Sequence, residues 1–160
     1  MRYANEPFKI DPDTTPGPRG TGLKVFVDGG RTQDFLMNNA PVLELTDVST
    51  TKDSFALRNE YFEDQKGMEK ELGKRSDTKK QIAPLQLPNT DIMGMQFFQQ
   101  SPFRFGEYIG KLSPIRLKKE VALTHGKVPK DASDTIRGEW IEEYFSKHDA
   151  DYTLQPRIRL

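Results

Sequence analysis

The run "GLKVFVDGG", residues 22–30, constrains this chain more than any other stretch. Leu23, Val25 and Val27 alternate with Lys24 and Phe26 before Asp28-Gly29-Gly30. A period of two sends successive side chains to opposite faces of an extended backbone, and paired glycines supply the positive φ of a tight reversal. The chain is therefore expected to turn back on itself and pair antiparallel. "TQDFL" is the returning strand, and "PVLELTD" extends the pattern with Leu43 and Leu45 on one side and Val42 and Glu44 on the other. Ahead of the run, "DPDTTPGPRGT" holds three prolines and two glycines, which predicts an exposed, extended connection. The first third reads as an antiparallel meander.

Helical signals follow. Capping residues cluster at Thr51-Lys52-Asp53-Ser54, and Leu57, Tyr61, Met68 and Leu72 recur near a helical period until Gly73, so one helix is predicted there. Residues 74–89 carry charge and two prolines with little apolar period, which reads as an exposed linker within a single domain spanning 1–160. In "DIMGMQFFQQ" the methionines and phenylalanines are expected to fill core. "FRFGEYIGKL" and "IRLKKEVAL" are predicted strands, with Ser113-Pro114 as the turn between them. "DTIRGEWIEEYFSKH" places Ile136, Trp140, Ile141, Tyr144 and Phe145 on one helical stripe. The tail "YTLQPRIRL" alternates as a strand, and Pro156, which cannot donate to a ladder, predicts one unpaired edge.

Composition narrows the function classes. Only 37 of 160 residues are Leu, Ile, Val or Phe, so the core is thin. Basic and acidic residues balance at 24 each, which argues against a nucleic-acid or anionic-membrane partner. Cysteine is absent, excluding disulfides, thiolate metal sites and a cysteine nucleophile, and a soluble cytoplasmic protein is expected. No apolar run reaches membrane length. His125 and His148 have no second histidine at ligand spacing and read as surface residues. "GPRGTG" precedes a strand rather than a helix, so no helix N-terminus faces a phosphate there. The Lys and Glu runs of 60–80 read as a solvated face.

Asn38 and Asn39, just ahead of Ala40-Pro41, admit two readings. Asparagine bonds its own backbone and tolerates tight turns, so the pair can be punctuation; a carboxamide at a strand end can equally hold a small polar ligand without adding charge. The motifs "RYANEP", "PGPRGTGLKVF", "QDFLMNNAPVLELTD", "FRFGEYIGKLSP" and "DYTLQPRI", taken in that order, resemble the catalase superfamily, and most of all its smaller haem-dependent, catalase-like branch. The resemblance implies an α+β fold: an antiparallel β-barrel of catalase-like type, incomplete at both ends, with helices after the fourth strand and before the last. It implies haem as cofactor and hydrogen peroxide or organic peroxides as substrate, in oxidative-stress chemistry. By the same resemblance Asn38 is the distal amide that hydrogen-bonds peroxide, with Asn39 the alternative, Arg2 pairs with a haem propionate, and Leu43 stands where the family has a distal aromatic.

The family's distal histidine and axial tyrosine would lie on segments before Arg2 and beyond the barrel, and neither pattern occurs in residues 1–160. Arg104 and Tyr108 in "RFGEY" have a suggestive interval but alternate like a strand, which makes Tyr108 a packing residue. The expectation is weak or absent turnover by the isolated chain. The alternatives are a non-catalytic module for haem or another apolar ligand, and a fragment completed by a homo-oligomer or a complementing chain.

Overall fold

The computed structural model describes residues 1–5, 10–41 and 47–159. It is an α+β arrangement with two antiparallel sheets and five α-helices among the described residues. The chain divides into two compact units, one formed by residues 1–42 and 87–160 and the other by 43–86.

In the first unit, β1 (Arg2–Asn5), β2 (Arg19–Phe26), β3 (Thr32–Asn38) and β4 (Phe98–Gln99) form a sheet in the order β1-β2-β3-β4. The alternation at 22–27 pairs as expected: Leu23 stands opposite Phe35, Val25 opposite Gln33, and the reversal passes through Gly29 and Gly30 at φ 80° and 77°. The second sheet is β5 (Phe103–Phe105), β6 (Tyr108–Arg116) and β7 (Tyr152–Arg159) in that order. Where β6 passes β4, side chains replace a backbone ladder. The Leu112 amide donates to Gln99 Oε1 at 3.1 Å and the Ser113 hydroxyl to the Phe97 carbonyl at 2.6 Å. Seven strands are present, but among the described residues they close no barrel.

Several expectations are corrected here. The reversal in "FRFGEYIGKLSP" falls at Gly106, whose φ of 62° suits glycine, and β6 runs straight through Ser113 and Pro114. Proline is tolerated because the Leu112 amide points away from β7. Leu112–Pro156 and, two residues on, Pro114–Leu154 are therefore pairs in which neither residue donates across the ladder. "IRLKKEVAL" is not a strand: after Arg116 the chain forms α4 (Lys118–Val121), which brings Arg116 Nε within 3.4 Å of Glu120 Oε2. The 11–18 connection is a loop, but Asp13 within it is buried. Tyr108 is 43% exposed rather than packed.

The core collects Met37, Ile92, Met93, Phe97 and Tyr144, with Tyr3, Leu23, Phe35 and Ile141 against it. The methionine-phenylalanine segment thus fills core, as expected. Helix α5 (Ile136–Lys147) buries Trp140 and Tyr144 but leaves Phe145 half exposed. No side chain of its own caps it. Instead, Asp13 Oδ2 accepts the Arg137 amide at 2.8 Å while Asp13 Oδ1 meets Arg137 Nη1 at 2.9 Å. Arg19 shares the Asn89 carboxamide with Arg137, and burial, together with the charge of Arg137, pulls its guanidinium down to about 10.

The second unit is helical. The single helix expected over 51–73 is two: α1 (Val48–Glu60), capped by Asp47 at 2.7 Å from the Thr50 amide, and α2 (Gln65–Gly73), capped by Asp64 at 2.9 Å from the Gly67 amide. Asp64 restarts the helix by satisfying a first-turn amide. The 74–89 stretch contains α3 (Thr78–Ile82), whose Gln81 is fully buried and accepts from Ser54 Oγ at 2.5 Å.

A candidate ligand cleft on the outer sheet face

Register decides which side chains share a face of the first sheet. Directly opposed residues of antiparallel strands lie on the same side, so Arg2, Gly22 and Leu36 form one row and Ala4, Gly20 and Asn38 the next. Tyr3, Thr21 and Met37 belong to the opposite, core face. The first set lines a cleft of about 550 Å³. Its floor is glycine and alanine, so backbone lies open to whatever occupies it. Strand spacing and rise put Arg2 and Asn38 roughly 12 Å apart at their Cα atoms.

The asparagine question resolves into a division of labour. Asn39 is structural: its Oδ1 accepts the Arg19 amide at 2.9 Å and its own amide donates to the Arg19 carbonyl at 3.0 Å. Asn38 is a turn residue and a candidate ligand residue at once. Its Oδ1 accepts the amide of Ala40, two residues on, at 3.0 Å, and Gln100 Nε2 at 2.6 Å. Both bonds fix the carboxamide through its oxygen, and with no acceptor for it among the described residues Nδ2 is the oriented donor. Gln100 was not legible as a site residue. "FFQQS" reads as the end of a core segment, and only the β3–β4 pairing, with Asn38 opposite Phe98, brings it to Asn38.

Arg2 is exposed on β1 and lines the same cleft. A guanidinium at a cleft wall binds a carboxylate through two parallel N–H donors. Leu43 lies outside the described residues, as does most of "PVLELTD". Arg104 and Tyr108 stand on the other sheet, with Arg104 Nη2 3.7 Å from Glu107 in an exposed pair. His125 stacks on Trp140 at 4.6 Å and meets Glu143 at 3.1 Å, an exposed arrangement remote from the cleft's lining.

Haem can be set against these donors. Arg2 suits a propionate and Asn38 Nδ2 suits a bound oxygen atom, but among the described residues no tyrosine, histidine or cysteine lines the cleft. Met37 does, yet it is 3% exposed and packed into the core. As a complete haem centre the residue set does not fit; as a cradle for a flat molecule with a carboxylate edge it does. No group of three or more His, Cys, Asp or Glu among the described residues is arranged to hold a metal ion, and no described helix is long and apolar enough to cross a membrane. No family model, no curated protein and no solved structure matches this chain.

Proposed function

We propose that this chain is a catalase-like binding module whose outer cleft holds a flat, largely apolar carboxylate. The motif resemblance makes a porphyrin of the haem class the leading ligand. The observation that carries this reading is the pairing of Arg2 and Asn38 on one sheet face over a glycine floor, with Asn38 anchored so that its Nδ2 is offered. In this reading Arg2 neutralises a carboxylate, Asn38 donates to an acceptor on the ligand, and Leu36 with Gly20 and Gly22 contacts its apolar face. Peroxide turnover is not assigned to these residues, because no axial ligand stands among them and the carboxylate in the cleft's described lining, Asp34, is paired with Lys24 at 2.7 Å. The barrel of the catalase type belongs to the same proposal, and the absence of cysteine supports a reducing, cytoplasmic setting.

Parallel titrations with metal-free protoporphyrin and with hemin test it. Both are expected to bind with similar affinity, because carboxylate and ring recognition do not require iron. Arg2→Ala is expected to weaken both by about tenfold or more, the scale of a charged hydrogen bond. Hemin binding at least about a hundredfold tighter than protoporphyrin, with a tyrosinate-like spectrum, would overturn the reading in favour of an axially ligated centre.

A second reading has another chain, identical or different, covering this face to complete a peroxide site. Leu36 at 75% exposure and Phe26 at 76%, on the same side of the sheet, favour it. Light scattering with and without hemin checks it, and a monomer under both conditions counts against it.

A further inference from the structure

β1 separates two clefts. Arg2 faces the one described above, and Tyr3 faces a second, of about 680 Å³, on the core side of the same strand. Leu23, Ile141, Phe145 and Leu154 wall this second cleft together with Tyr3 and Tyr152, whose hydroxyls bond each other. Two phenols in mutual contact carry two protons and use one between them. Among the described residues the other proton has no acceptor. Arg116 lies beneath, its Cζ 5.7 Å from the Tyr152 ring, but it is committed to the Met93 carbonyl at 2.9 Å, the Tyr144 hydroxyl and Glu120. Among its described lining residues the cleft therefore offers apolar walls and a neutral donor, with no side-chain cation.

We propose that this second cleft binds an uncharged aromatic or aliphatic molecule through one acceptor oxygen, a ketone or quinone carbonyl, which takes the spare proton of the Tyr3–Tyr152 pair. A carboxylate is disfavoured, since its charge would be desolvated against apolar walls with Arg116 already paired. Burial raises both phenols above their ordinary range, so each stays protonated and able to donate through neutral pH. Leu154 and Phe145, 41% and 50% exposed, stand at the mouth and give an apolar ligand access.

The full chain is titrated with 2-acetylnaphthalene and with 2-ethylnaphthalene, which has nearly the same shape but no acceptor. The variant is Tyr3→Phe with Tyr152→Phe. Replacing both partners of one bond by rings of the same shape is close to neutral for folding, so the double variant is expected to fold. The ketone's affinity is expected to fall about tenfold in the double variant while the hydrocarbon's is unchanged or improved. Ring signals of Tyr3 and Tyr152 should move in NMR spectra of the native chain as ketone is added, while the Asn38 carboxamide signals stay in place. Equal losses for both probes, no loss for either, absence of saturable ketone binding, or movement of Asn38 instead of the tyrosines would each overturn the proposal. The porphyrin titrations use the opposite sheet face, so either inference can fail alone.

Discussion

The two faces of the first sheet differ in what they ask of their residues. On the core face, Met37 is 3% exposed, and the same face continues at the sheet end into a polar cluster in which buried Asp13, Arg19 and Arg137 bond with half-buried Asn89 and exposed Asn5. On the outer face, Leu36 is 75% exposed and the floor between Arg2 and Asn38 is glycine and alanine. Neighbouring residues of one strand thus carry unequal burdens. Apolar packing is concentrated on one face, and the candidate carboxylate cradle lies on the other.

The largest expected effect lies in the buried polar cluster. Asp13→Ala removes the carboxylate that pairs with Arg137 and caps α5, leaving two buried guanidinium groups uncompensated, and is expected to cost about 3–5 kcal/mol in urea melts. A loss under about 1 kcal/mol would erase the contrast between the faces. The same carboxyl sets an acid limit. Burial alone would raise it, but hydrogen bonds from Asn5 and the Arg137 amide, with the charge of Arg137, hold it below the usual carboxylate range. A depressed folded-state value contributes stability above the unfolded value and loses it as pH falls through the folded one. Melts from pH 5 downward should therefore steepen in the native chain, and Asp13→Asn should flatten that part of the curve.

Next in size is Met37→Ala, expected to cost about 2–5 kcal/mol through lost burial and the cavity left behind. Leu36→Ala, one residue earlier, should stay within about 0.5 kcal/mol. Equal losses in thermal melts would mean that the outer face is covered. The asparagines sharpen the comparison further. Asn39→Ala and Asn38→Ala each strip an acceptor from a backbone amide, of Arg19 and Ala40, and each should cost about 1–3 kcal/mol. Asn38→Asp separates the turn from the site. It keeps the acceptor for Ala40 and Gln100 but replaces Nδ2 with an oxygen, so stability should change by less than about 1 kcal/mol while porphyrin affinity falls about fivefold to tenfold. Unchanged affinity would leave Asn38 a turn residue only.

Much of this was readable without coordinates, and the limit has a physical pattern. The β2–β3 hairpin follows from alternation and a glycine turn, both local, and the stripe of α5 follows from a helical period. The same local logic misread "GKLSPIRL". Whether a proline breaks a strand depends on which way its nitrogen faces in the sheet, a property of pairing with β7 some forty residues on. It also joined α1 and α2, since Asp64 reads as one more polar residue until its side chain is seen capping.

For the candidate site, sequence alone determined that Asn38 stands at the end of a strand and that no cysteine chemistry is available; Arg2 entered only through the motif resemblance. Motif resemblance, not periodicity, suggested that the two belong together. Only the tertiary structure decided that they share a face, because that depends on the register of β1 on β2 and of β2 on β3, and a one-residue slip would have turned either into the core. Only the tertiary structure split the asparagine pair into an anchor and an offered donor, because Gln100, sixty-two residues away, is what holds the carboxamide by its oxygen. Hydrogen-bond direction is fixed by three-dimensional partners, and no local pattern carries it.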